Sequence, residues 1–307
     1  MYQQFVIFFL LLLTGYVCKR YHILTDAATN AINKFVIMVA YPCLILARTT
    51  RLEMDHRIFV NFLLTLFITF GLLLLFGGYA RLYCKLRKVP SEDAPVSEFS
   101  IMSPNNGFMG FPIAVTFFGS MGLLYMVACN VALNTMFFTY GIAILRRGRG
   151  VPGESVKKKV VEFLSLLVNP KVSAAIVGII LCYNHIALPE LALTYLDSVG
   201  AVATPMAMIS IGTFLSGGFG LSVFKSRVVM EGVIAKLIVV PIIGFLLVYF
   251  LPLDPSVRMI LIVANLMPVA ATVPILAEQY GRNKQLGGEM LVVSTIFSMG
   301  TIPLGIW

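Results

Sequence analysis

Charge is what this chain is shortest of. Asp, Glu, Lys and Arg make up 12% of its 307 residues, against roughly 25% in a soluble globular domain. With 59% of residues hydrophobic and a mean hydropathy of +0.91, that shortage excludes a soluble globule and points to an integral membrane protein. Acidic residues are the scarcer sign, 14 against 23 basic ones, which gives a net charge of +9. In so apolar a chain the basic excess belongs in cytoplasmic loops rather than against nucleic acid. The five cysteines, Cys18, Cys43, Cys84, Cys129 and Cys182, form no CxxC pair, so they read as packed thiols and not as a metal or disulfide framework. The three histidines fall near loops. No metal-ligand spacing, nucleophile elbow or phosphate loop occurs, so neither an enzyme nor a cofactor is expected. The first segment has no basic residue ahead of its apolar run and no small-residue cleavage site, and reads as a first transmembrane helix instead of a removed signal.

What the chain does have is long apolar runs. Ten are expected to span a bilayer, near 2–18, 28–47, 58–80, 98–119, 122–145, 167–187, 190–215, 227–251, 257–281 and 286–306. All should be helical, because backbone polar groups in lipid must pair within their own segment. The only substantial polar gap, "RRGRGVPGESVKKKVVE" at 146–162, reads as a linker between halves. Placing the N-terminus outside puts 17 Lys and Arg, including Lys171, in inside loops and 4 in outside loops, with Lys34 and Lys236 within spans. The excess of positive charge on the inside predicts a multi-pass protein of the cell membrane with both termini extracytoplasmic.

Landmarks repeat. Gly15 and Pro42 recur 163 residues on as Gly178 and Pro205, and Pro112 and Gly119 recur 162 on as Pro274 and Gly281. "PIAVTFFG" at 112–119 matches "PILAEQYG" at 274–281. Each half then holds five spans, an odd number, so the second copy must cross the membrane upside down. The expected fold is therefore an all-α integral membrane protein of ten transmembrane helices in two inverted five-helix repeats. Residues 1–145 form the first repeat, 146–166 a cytoplasmic linker and 167–307 the second repeat. Such repeats build secondary transporters, whose sites lie at discontinuous helices.

Spans 4 and 9 are the discontinuous ones, with breaks expected near 104–112 and 266–274. Pro112 and Pro274 are expected to start the second half-helices, where a missing N–H costs nothing. The two N-termini would then meet near the midplane, each with about half a positive charge. The alternative is a pair of proline-kinked helices with no site. Asn105 and Asn106 can cap the open backbone, contact a ligand or both, with Asn105 the favoured contact. Gly107 stands beside them, and Asn265, Pro268 and Thr272 are the polar or backbone-breaking positions of the second break. Asn130 and Asn134 share a helical face, and with Ser294, Thr295 and Ser298 are expected to support the broken helices. Among charges inside spans, Lys34 and Asp197 read as snorkelling or ion-paired groups. Glu278 reads as a solvated end residue, or else as a coupling group or partner of Lys236.

"SPNNGFMGFP" at 103–112, "AEQY" at 277–280 and "STIFSMGTIP" at 294–303 resemble the auxin efflux carrier family, which holds the plant PIN-FORMED carriers and many short prokaryotic members. The resemblance covers the whole chain. It implies the ten-helix fold of bile-acid symporters and sodium/proton antiporters, with crossing broken helices 4 and 9. It also implies a scaffold of helices 1, 2, 6 and 7, a transport part of helices 3–5 and 8–10, and elevator-type alternating access. The implied ligands are small organic anions, either indole-3-acetate or a dicarboxylate such as malate or malonate, with Asn105 or Asn106 as the amide beside the crossover. Unlike the plant carriers, this chain lacks a long cytoplasmic loop and has Ala277 where they often carry a lysine. A cation/proton antiporter on the same fold would need an intramembrane carboxylate, and 103–112 and 265–274 contain none. A sodium-coupled symporter stays open, since carbonyls and amides bind Na⁺, and so does coupling to H⁺. A non-transport receptor or scaffold is the third reading. The expected partners are the organic anion and the lipid bilayer, with a homodimer among the open oligomeric states.

Overall fold

The computed structural model describes residues 2–53, 55–148, 169–216 and 221–306, and among them no strand forms. The helices are α1 (Tyr2–Arg20), α2 (Asp26–Thr49), α3 (His56–Leu86), α4 (Ala94–Met102), α5 (Asn106–Arg146), α6 (Pro170–Tyr183), α7 (Glu190–Leu215), α8 (Arg227–Tyr249), α9 (Pro255–Leu266), α10 (Thr272–Gln279) and α11 (Lys284–Ile306). Six of them, α2, α3, α5, α7, α8 and α11, are long and apolar enough to cross a bilayer, and α6 and α9 are shorter apolar helices. The chain is an all-α membrane protein. The expected linker lies almost entirely outside the described residues; Arg146 ends α5.

Helical structure resumes at Asn106 and reaches Arg146 in two pieces that meet at Gly119, whose φ/ψ of 63°/−152° is not helical, where the sequence reading separates spans 4 and 5. That φ is open to glycine and strained for other residues. Gly281, between α10 and α11, has the same φ of 63°. Prolines also shape the helices they enter. In α2, α5 and α8 the helix widens into a π turn at Val36–Ala40, Asn106–Gly110 and Ala235–Val239, each directly followed by an X-Pro pair ending in Pro42, Pro112 or Pro241. A proline lacks the N–H and its ring clashes with the carbonyl four residues back. One extra residue per turn moves that carbonyl away.

Two packed groups result. In the first, α1 lies along α7, and α2 packs on both α6 and α7. Gly15 and Gly212 bring α1 and α7 into backbone contact: a Cβ on Gly15 would overlap the Ile209 carbonyl, and one on Gly212 the Leu12 carbonyl. Gly178 of α6 meets Leu46 and Thr49 of α2. Ile209 and Gly212 lie 163 residues beyond Leu46 and Thr49, the spacing that separates Gly178 from Gly15. In the second group α3 packs on α4 and α5, α9 on α5 and α8, and α11 on α8 and α10. Between the groups, α5 touches α2, α6 and α7, and α11 touches α1 and α7.

Candidate functional site

Two X-Pro pairs make the breaks. A proline pushes the residue before it out of the helical region, and Ser103 and Met267 are extended, at φ/ψ of −97°/101° and −65°/140°. Both helices therefore stop there, α4 at Met102 and α9 at Leu266. The open backbone is closed by mutual pairing. Pro104 and Val269 form an antiparallel bridge, in which the Asn105 N–H donates to the Pro268 carbonyl (2.8 Å) and the Ala270 N–H to the Ser103 carbonyl (2.9 Å). The Val269 N–H donates to the Ser294 hydroxyl at 3.0 Å. An unpaired backbone group at this depth would cost several kcal/mol. The two interrupted helices thus cross at their breaks, and the N-termini of α5 and α10 both start beside the crossing.

The breaks are shorter than the sequence reading expects. Residues 103–105 and 267–271 are non-helical, so Pro112 does not start its half-helix: Asn106 does, six residues earlier, with the π turn absorbing the proline. Pro274 is the third residue of α10, within the first turn, where its N–H has no intrahelical partner in any case.

The two adjacent asparagines divide their work. Asn105 caps α5, its carbonyl accepting from Met109 and Gly110 and its Oδ1 from the Phe108 N–H (3.4 Å). Asn106 is fully buried, and neither its Oδ1 nor its Nδ2 has a partner among the described residues. Of the two, Asn106 has both amide atoms unpartnered among the described residues, and Asn105 only its Nδ2. The Asn105 Nδ2, the Thr272 hydroxyl and the Asn265 Nδ2 are also buried without partners among the described residues. Asn265 turns its amide onto Gly244 of α8, where a Cβ would overlap it. Asn134 donates to the Asn130 Oδ1 at 3.1 Å, leaving the Asn130 Nδ2 facing Gly107, 3.5 Å from where a Cβ there would sit. Ser298 donates to the Thr295 carbonyl at 2.7 Å.

Charged groups in and near the spans differ in their pairing. Glu278 is exposed and pairs with Lys284 at 2.8 Å, so it does not pair with Lys236, whose buried ammonium has no partner among the described residues. Asp197 is ion-paired, with Arg51 as its partner. Glu98, which sequence reasoning missed, is buried and held by Arg147 at 2.6 and 3.1 Å and by the Tyr140 hydroxyl at 3.3 Å. Lys171, counted with the inside-loop charges, falls within the expected 167–187 span and lies in α6. Asn169 caps α6 and Pro170 opens it, which draws Lys171 into the first turn and buries it. Its ammonium lies 5.6 Å from the Phe111 ring centroid and 3.7 Å from where a Cβ on Gly107 would sit. The Asn-Pro pair before it was the available signal.

In α5, Met109 and Ile113 line an apolar cleft of about 250 Å³ with Phe5, Phe8, Leu12 and Met208. The start of α5 is thus bordered by polar and cationic groups and by an apolar cleft.

A family profile described as membrane transport protein matches residues 1–306. An uncharacterized transporter of Methanothermobacter thermautotrophicus is 26% identical, over 96% of this chain and 93% of its own length. One of Methanocaldococcus jannaschii is 28% identical, over 98% and 96%. A provisionally named malonate transporter of Rhizobium meliloti is 22% identical, over 96% and 91%.

Proposed function

The chain belongs to the membrane transport protein family, the auxin efflux carriers its motifs resemble, and on that premise we propose that it is a secondary transporter of a small organic anion. The anion binds where the N-termini of α5 and α10 start beside the crossing, with the Asn106 amide donating to a carboxylate. The observation that carries this reading is Asn106 itself, whose two amide atoms are buried beside paired backbone and have no protein partner among the described residues. A buried amide left unpaired costs about 1–3 kcal/mol. Two helix N-termini supply the positive end of their dipoles at the same place.

The ten-passage, inverted-repeat arrangement is part of the proposal. It is supported by Gly119 and Gly281, which share φ and lie 162 residues apart, and by the matched contacts of Gly15 and Gly178. The first packed group, α1, α2, α6 and α7, is the scaffold, and the second is the part that moves as an elevator. The linker is cytoplasmic and both termini lie outside the cell membrane, from the distribution of Lys and Arg. The substrate is a small carboxylate, and the relative named for malonate makes malonate the first probe. An antiporter with an acidic ion site is disfavoured, because the breaks carry no carboxylate and Glu98 is neutralised by Arg147.

Ligand-induced thermal shifts of the purified protein test this reading. A hydrogen bond to a charged group is worth roughly 1.5–3 kcal/mol, so Asn106→Ala should weaken malonate or indole-3-acetate binding about ten- to a hundredfold. Asn105→Ala should chiefly lower the melting temperature of the ligand-free protein, because it removes a cap. Wild-type affinity for both anions in Asn106→Ala would move the site away from the crossing.

A further inference from the structure

Gly107 follows Asn106 directly, and two nitrogen donors converge on the face where it has no side chain. The Asn130 Nδ2 and the Lys171 Nζ lie 3.5 and 3.7 Å from the one point a Cβ there would occupy. The Asn130 Oδ1 is taken by Asn134, so that face offers donors. Lys171 is buried at 8% exposure, and no carboxylate among the described residues pairs with it. The Phe111 ring face lies beside it, a weak partner for a cation withdrawn from water.

The fold does not demand a cation there. The residue 163 positions earlier, by the spacing that relates Gly15 to Gly178, is Phe8. Phe8 is also buried, packs its ring edge-on to Phe117 and lines the apolar cleft. One half fills this place with an aromatic ring and the other with an ammonium. A ring needs no partner, whereas a buried charge is costly unless something neutralises it.

We infer that Lys171 and Asn130 form a second carboxylate subsite, so that this chain selects small dicarboxylates over monocarboxylates. The inference rests on the anion reading above and deepens it. One carboxylate accepts from Asn106, and the other occupies the face of Gly107 between Asn130 and Lys171. Asn106 and Gly107 are neighbours in the chain, with Cα atoms about 3.8 Å apart. Both faces therefore lie on the first turn of α5, within reach of one small dianion. Lys171 belongs to α6, in the packed group opposite Asn106, so a bound dianion bridges the two groups.

The test is calorimetric titration of the purified full chain with malonate and with propionate, in wild type, Lys171→Gln, Lys171→Arg and Asn106→Ala. Wild type should prefer malonate, and Lys171→Gln should erase that preference by about ten- to a hundredfold. Lys171→Arg, which keeps the charge, should restore part of it. A structural role is separated by the ligand-free protein: Lys171→Gln should melt at or above wild type, because an uncompensated buried charge has been removed. If Lys171→Gln keeps the malonate preference while Asn106→Ala loses affinity, the second subsite is wrong and the anion reading stands. If Lys171→Gln lowers the ligand-free melting temperature and Lys171→Arg restores stability without preference, Lys171 is structural and the inference falls. If Asn106→Ala binds both acids as wild type does, or wild type binds neither, the anion reading at the crossing fails and the inference with it.

Discussion

At the scale of residues, the chain separates charges that hold the structure from polar groups left open. Glu98 and Arg147 satisfy one another, and so do Arg51 and Asp197. Glu278 pairs with Lys284 at 60% and 58% side-chain exposure, where an ion pair contributes about 0–1 kcal/mol. Glu278→Gln should therefore leave malonate uptake by proteoliposomes, and its pH response, within twofold of wild type. Loss of uptake in that variant would return Glu278 to a coupling role. The asparagine pair was legible from sequence as two amides beside two prolines. Their division of labour was not, because it depends on which residue ends up at the N-cap, and the π turn that decides it leaves no periodic signal. Lys171 was hidden for a related reason: charge counting assigned it to a loop, while Asn169 and Pro170 start the helix two residues ahead of it.

Helices carry the next level of the argument. Proline placement sets both the breaks and the π turns, since each missing N–H and each ring must be accommodated within a segment that has no water to pair with. Ser103-Pro104 and Met267-Pro268 end α4 and α9, and the two open strands then pair across the crossing. Sequence reasoning found both broken helices from Pro112 and Pro274 but placed the first restart six residues late, because Pro112 is accommodated inside a helix that has already begun. The α1–α7 contact depends on the absence of side chains at Gly15 and Gly212. Gly212→Val should force these backbones apart and cost about 1–3 kcal/mol, the usual range for overpacking, read as a lower melting temperature in detergent. An unchanged melting temperature would show that the two helices can slide apart freely, which a rigid scaffold does not allow.

For the whole molecule, the repeat spacing read from four landmarks reappears in contacts that no single segment encodes. The contact of Gly178 with Leu46 and Thr49 matches that of Gly15 with Ile209 and Gly212. Which helices pack together was beyond composition and periodicity, since an apolar face in a span can meet lipid or another helix alike. The resemblance supplied the proposed scaffold; in the structure α1 packs on α7, and α2 on α6 and α7. The account's central claim is that an anion held at Asn106 is carried across the membrane when the two packed groups move past one another. Counterflow tests it most directly, with the purified protein in liposomes preloaded with unlabelled malonate or indole-3-acetate and presented with a trace of the labelled acid outside. The account predicts a transient accumulation of label with at least one of the two acids, lost in Asn106→Ala. Thermal stabilisation by the acids with no entry of label would contradict it and make the protein a receptor built on a transporter fold.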